Sequence, residues 1–194
     1  DKPHRLITAT TIATQIIVAV TSAQYGGTTI TLSHLAPFVR DSYNFYKKRY
    51  SKFVQDKNLV ETLTQNSLNK EIEDAVQTFN YQINSFSTTN GQAPFVSVFM
   101  YIDENLEYKK ETVMLIEEFL KQRIKGMKNR TGHYVTQAFP KLIYCLDEDN
   151  IHEDSEYYWL TELAVKSTAK RMNPDYVSAK IMKEYKGAVF PSID

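Results

Sequence analysis

Five consecutive residues, Thr88-Thr89-Asn90-Gly91-Gln92, bring hydroxyls, side-chain amides and a permissive backbone together just ahead of Pro94. Free amides and hydroxyls in such a turn can hold a phosphate or a ribose. Asn-Gly is also ordinary turn chemistry between a helix and a strand, so both readings stand. Gly26-Gly27 is a second place where a ligand could approach the backbone, and a tight turn explains it equally well. Neither Gly-x-Gly-x-x-Gly nor a Gly-Lys-Thr/Ser phosphate loop occurs. Lys47-Lys48-Arg49, flanked by Tyr46 and Tyr50, could meet nucleotide phosphates or form a solvated basic helix face. His4, His34, His133 and His152 are scattered without metal-ligand spacing, which argues against a metal site. Cys145 sits inside an apolar run, where a small buried hydrophobe is the default and nothing nearby lowers a thiol pKa. The acidic loop at residues 147–154 lacks calcium-hand spacing. Asn129-Arg130-Thr131 is a formal glycosylation sequon with no role in a cytosolic chain.

These residues need a framework, and the hydrophobic pattern supplies one. Pro94 opens an apolar, β-branched run at residues 95–102, the composition of a strand buried on both faces. Residues 28–32, 139–146 and 188–193 repeat that design. Between them, Leu6, Ala9, Ala13, Ile16, Ile17 and Val20 recur at helical spacing. Pro37 opens a second helix to about Gln55, and Asn58 is a candidate cap for a third to about Phe86. The first half of that third helix is polar nearly all round, which suits solvent or a partner subunit. Further helices are expected over 106–127, from Ser155, and from Asn173-Pro174 to Lys186. Residues 129–132 read as a loop. Alternation of this kind predicts an α/β fold: a parallel four-stranded sheet with long helices joined by right-handed crossovers.

The chain has 194 residues, one ordinary domain, with 42% hydrophobic residues. Lys plus Arg and Asp plus Glu number 23 each. The resulting zero formal charge speaks against nucleic acid or a polybasic membrane contact. The run at residues 6–20 is interrupted by Thr8, Thr10, Thr11, Thr14 and Gln15, so no membrane span is expected. One cysteine excludes an internal disulfide and fits a reducing, cytoplasmic compartment. Asp1 directly precedes a helix and Asp194 interrupts an apolar run, so the chain reads as an internal piece of a larger protein.

Four segments carry a resemblance: Ser22-Ala-Gln-Tyr-Gly-Gly-Thr-Thr-Ile-Thr-Leu32, the stretch 84–97, Phe139-Pro-Lys-Leu-Ile-Tyr144 and Ala169-Lys-Arg-Met-Asn-Pro-Asp-Tyr176. Together, and in this order, they resemble the anaerobic, class III ribonucleoside-triphosphate reductases. The resemblance implies a ten-stranded α/β barrel of two five-stranded halves around a finger loop, with this chain supplying strands two to five of the first half. It implies reduction of ribonucleoside triphosphates to deoxyribonucleoside triphosphates by glycyl and thiyl radical chemistry. Formate is the implied reductant, and an S-adenosylmethionine iron–sulfur activase is the implied source of the radical. The radical cysteines and glycyl site of the family would fall outside residues 1–194, and Cys145 matches neither cysteine motif. The chain alone is therefore expected to be inactive and to bind no cofactor itself.

By position, the resemblance makes Thr88, Asn90, Gln92 and Ser97 the substrate-pocket wall. Gln15, Tyr46, Lys47 and Lys48 become contacts to a deoxynucleotide or ATP effector. A homodimer is implied, with the effector and dimer region within residues 1–56 and the three further strands within 57–194. The alternatives are a self-contained nucleotide-binding regulatory α/β module and a partner-binding scaffold built on the polar third helix.

Overall fold

A computed structural model of the chain describes residues 2–23, 26–86, 91 and 94–189. Among these residues, six strands and six α-helices follow from local chemistry. Helix α1 (Leu6–Ala23) buries Leu6, Ala9, Thr10, Thr14, Ile17 and Thr21, and strand β1 (Thr28–Thr31) follows. Helix α2 (Ala36–Tyr50) has Pro37 in its first turn and Lys47, Lys48 and Arg49 in its last. Both placements suit helix termini. Helix α3 (Lys57–Ser85) is capped by Asp56, whose carboxylate accepts from Asn58 N at 2.8 Å and Leu59 N at 3.3 Å. Asp56, two residues ahead of the expected Asn58, wins because its carboxylate reaches two free amides of the first turn.

Strand β2 (Val96–Met100) is buried throughout. Helix α4 (Lys109–Lys125) leads into a hairpin of β3 (Met127–Lys128) and β4 (Tyr134–Val135). Within it, Asn129 Oδ1 accepts from the amides of Thr131 and His133, so the sequon asparagine serves as the turn-former. Strand β5 (Lys141–Leu146), helix α5 (Tyr158–Arg171), strand β6 (Asp175–Ser178) and helix α6 (Ala179–Lys186) complete the chain. Two X-Pro bonds, Phe139-Pro140 and Asn173-Pro174, are cis.

β1, β2, β5 and β6 form one parallel sheet in that order. The expected four-stranded parallel sheet is present, but its fourth strand is not the expected one. Asp175–Ser178 takes that place, where the sequence reading continued a helix from Asn173-Pro174. Residues 188 and 189 are not in a strand, and 190–193 lie outside the described residues. The helix ahead of β6 begins at Tyr158, after Ser155, and Ser155 donates to the His152 carbonyl instead of capping.

Strand order follows chain order. With right-handed crossovers, each step in one direction puts its helices on the same face. The core matches that rule. Val96, Val98 and Met100 of β2 and Leu142 and Tyr144 of β5 pack in one cluster with the buried residues of α1 to α5. Alternate residues point the other way. Phe99, Tyr101, Ile143 and Cys145 form a smaller cluster with Ala179 of α6, Val177 and Val189.

α3 carries a buried stripe that its polarity hides. It lies between α1, α2 and α4, and its polar first half still buries Val60, Thr64 and Leu68 at four-residue spacing. α3 is thus packed into the helical layer along this stripe, while the rest of its first half, Leu59 included, is exposed or half-buried, as its polarity suggests. α1 is long and apolar enough to cross a membrane by length and composition, and a third of it is buried inside the protein.

Candidate functional site

The second face of the sheet gathers polar groups at the strands' amino-terminal ends. Register places Thr29 beside Ser97 and Ser97 beside Lys141. Ser97 is wholly buried, and among the described residues neither its hydroxyl nor that of Thr29 has a hydrogen-bond partner. An unpartnered buried hydroxyl costs about 1–3 kcal/mol, so two in one row call for an explanation. Lys141 Nζ lies 2.8 Å from Asp175 Oδ2 across the β5–β6 pair. Phe95 stands just before β2, with its ring centroid 5.1 Å from that of Phe139. A Cβ on Gly27 would meet Phe95 Cδ1 at 2.6 Å, so glycine there is fixed by this close approach.

The carboxyl-terminal ends, where open α/β sheets usually take ligands, are arranged differently. Lys109 Nζ bridges Asp103 at 2.7 Å and Asp149 at 2.8 Å, under the Tyr157 ring. Burial opposes its charge, but the two carboxylates together hold the ammonium above the usual lysine range. Burial pushes the Asp149 carboxyl up against the pull of Lys109, and the Asp103 charge adds to the rise. Tyr101 donates to Asp147 Oδ2 at 3.1 Å, and Lys183 Nζ is 3.5 Å from the same oxygen. Thr31 donates to Glu104. These charges pair with one another, although Asp149 Oδ1 has no hydrogen-bond partner among the described residues; the opposite end carries the unpartnered hydroxyls of Thr29 and Ser97.

Cys145 is buried on the same face, and burial pushes its thiol up to about 12. Such a thiol stays protonated at neutral pH and is a poor nucleophile and metal ligand. Among the described residues, no group of three or more His, Cys, Asp or Glu is placed to hold a metal ion.

Of the residues the sequence assigned to a substrate wall, Ser97 lies on this face, while Thr88, Asn90 and Gln92 fall outside the described residues. The four proposed effector contacts are spread over the helical layer. Tyr46 turns toward the start of α1, where its hydroxyl accepts from Arg5 Nη2 at 2.6 Å. Arg5 Nε is 3.2 Å from Glu71 Oε1, and Arg5, Tyr46, Glu71 and Lys70 line a cavity of about 370 Å³. Lys47 turns toward α3, donating to Tyr43 Oη at 3.0 Å and lying 3.7 Å from Glu61. Lys48 is exposed. Gln15 is exposed on α1, about 14 Å along the axis from Leu6. One copy of the chain therefore brings Tyr46 to the beginning of α1 and leaves Gln15 well beyond it.

Sequence reasoning missed Thr29, Lys141 and Asp175, which join the row only through long-range register. It also missed Arg123, a buried guanidinium in α4. Its signal was present: Arg123 continues the apolar spacing of Ile116, Leu120 and Met127.

An α/β protein with a sequentially ordered parallel sheet, its long helices on one side and a partly polar second face, is the class this architecture defines. Comparison with known proteins narrows it. The family model described as anaerobic ribonucleoside-triphosphate reductase matches residues 1–192, and the chain belongs to that family. It is 33% identical over 98% of its length to the anaerobic ribonucleoside-triphosphate reductase of Enterobacteria phage T4. It is 34% identical over 92% of its length to the enzyme of the same name from Escherichia coli K12. The chain spans 31% of the phage protein and 24% of the bacterial one.

Proposed function

We propose that this chain forms part of the catalytic barrel of an anaerobic ribonucleotide reductase, with the second face of its sheet as one wall of the substrate pocket. The observation that carries this reading is the sequential, one-sided winding of β1, β2, β5 and β6. Repeated right-handed steps in one direction build a barrel wall with helices outside and one face inside. In that reading the Ser97 and Thr29 hydroxyls meet the nucleotide, together with Thr88, Asn90 and Gln92. Phe95 and Phe99 exclude water beside them.

The substrates are ribonucleoside triphosphates and the products deoxyribonucleoside triphosphates. A glycyl radical, installed by an S-adenosylmethionine iron–sulfur activase, supplies one-electron oxidation at a cysteine outside residues 1–194, and formate supplies the reducing equivalents. Cys145 takes neither cysteine role, because it matches neither cysteine motif and is wholly buried. This chain's own part is to bind, orient and shield the nucleotide.

A homodimer fits the same reading. Ile12, Ile16 and Val20 form an exposed stripe on α1 next to Gln15. Pairing two copies along this stripe is the proposed route by which Gln15 of one copy and Tyr46, Lys47 and Lys48 of the other share a deoxynucleotide or ATP effector. Lys47 would exchange Glu61 for a phosphate. The test is anaerobic turnover by the complete polypeptide after activation, assayed for deoxynucleotide formation. Failure to form any deoxynucleotide with an activated, nucleotide-binding preparation would end the reading.

A further inference from the structure

Arg123 is 2% exposed, and no carboxylate among the described residues lies within ion-pair distance of it. Burial lowers its guanidinium to about 10, and the charge of Arg171 adds to the fall. A buried charge without a counter-ion is costly and is kept where its hydrogen bonds hold something in place. Arg123 Nη1 donates to the Gln137 carbonyl at 3.4 Å, and Nη2 donates to the Pro140 carbonyl. Between them, the Phe139 carbonyl accepts from Asn84 Nδ2 at 2.8 Å. Three carbonyls of the segment leading into β5 are thus held from two helices, α4 and α3.

That segment sets the amino-terminal end of the second face. Phe139 carries the ring that packs on Phe95, and Phe95 in turn closes on Gly27. Lys141, directly after Pro140, is the register partner of Ser97. We propose that Arg123, with Asn84, is a positioning residue. By fixing the 137–140 carbonyls, it sets the place of Phe95, Ser97 and Lys141 at the nucleotide wall without touching the nucleotide. This rests on the reading of the second face as that wall.

The test uses the complete polypeptide and titration calorimetry with a ribonucleoside triphosphate, with thermal unfolding run on the same samples. Arg123→Lys keeps the charge but loses the fork that spans two carbonyls. Asn84→Ala removes the second anchor. Each is expected to weaken nucleotide binding by about fivefold, the loss of roughly one net hydrogen bond's ordering. The double variant should be less than additive, because both act through one segment. A lowered melting temperature with unchanged affinity would make Arg123 structural only and overturn the proposal, as would no change in either quantity. Ser97→Ala separates the two levels. Weakened binding there with full affinity in both anchor variants rejects the positioning role alone. Unchanged affinity for Ser97→Ala rejects the wall itself.

Discussion

Replacing Ser97 with alanine should make this protein more stable and weaken the nucleotide binding proposed for it. The hydroxyl is buried on β2 and has no hydrogen-bond partner among the described residues. Such a group carries a desolvation penalty of about 1–3 kcal/mol, with no bond among the described residues to offset it. Removing it leaves the methylene packed and takes away only one oxygen. A gain of about 1 kcal/mol is therefore the conservative expectation, a rise in Tm of about 2–4 °C for a chain of this size. The same oxygen is proposed to meet a ligand, where a made bond is worth about 1 kcal/mol, so affinity should fall by about fivefold. Scanning calorimetry reads the first quantity and isothermal titration with a ribonucleoside triphosphate the second. Opposite signs are the signature of a group held unsatisfied for function. A Tm that drops by several degrees would show that the hydroxyl stabilises the fold, and unchanged affinity would remove Ser97 from the site.

Four further outcomes follow from the same geometry. Gly126→Ala should cost at least about 3 kcal/mol in urea unfolding, since that backbone position is close to glycine-only. Its φ is 80° and its ψ 178°, and the new Cβ would sit 2.7 Å from the Val135 carbonyl and 2.6 Å from Arg171 Nη2. Cys145 should resist alkylation in the native state at pH 8 and react fully on unfolding, because burial pushes its thiol up to about 12; rapid native labelling would contradict that burial. Burial also pushes the Glu118 carboxyl above the usual glutamate range, against the pull of Gln122 and Lys121. The folded state then binds more protons than the unfolded one, so this group's contribution to stability falls as pH rises through its folded pKa. Glu118→Gln should accordingly raise the urea midpoint at pH 7 and make no difference near pH 4; equal midpoints at pH 7 would refute the assignment. Ile16→Glu on the exposed stripe of α1 should leave folding intact and shift sedimentation toward monomer, and an unaltered dimer would move the interface elsewhere.

Most of the parallel sheet could be read from residue order because each central strand is a mostly apolar run. Val96 to Met100 and Leu142 to Cys145 announce themselves without knowledge of their neighbours. β6 does not. Asp-Tyr-Val-Ser is four residues at the sheet's edge, with Asp175 and Tyr176 exposed, so burial never wrote an apolar run there. The hairpin of β3 and β4 was equally hidden, its two-residue strands being held by an Asn129 turn rather than by composition. The site was legible only in part. Ser97 stands out as a lone hydroxyl between valines, but Thr29 and Lys141 reach it through register. Arg123 reads as one more charge in Lys-Gln-Arg-Ile-Lys until the 137–140 segment covers it. α3 was legible on its outer side, where polar residues of its first half are indeed exposed, but not along Val60, Thr64 and Leu68, whose spacing does the packing.

α3 runs unbroken for 29 residues, about 43 Å. Glu71, which accepts the Ile7 amide at the beginning of α1, and Asn84, which holds the Phe139 carbonyl, are fixed on this one rod about 20 Å apart. Helical rise, rather than any loop, is the ruler between the α1–α2 end and the strand mouths. An ångström of sliding at either station is the same ångström at the other, so neither can be re-registered alone.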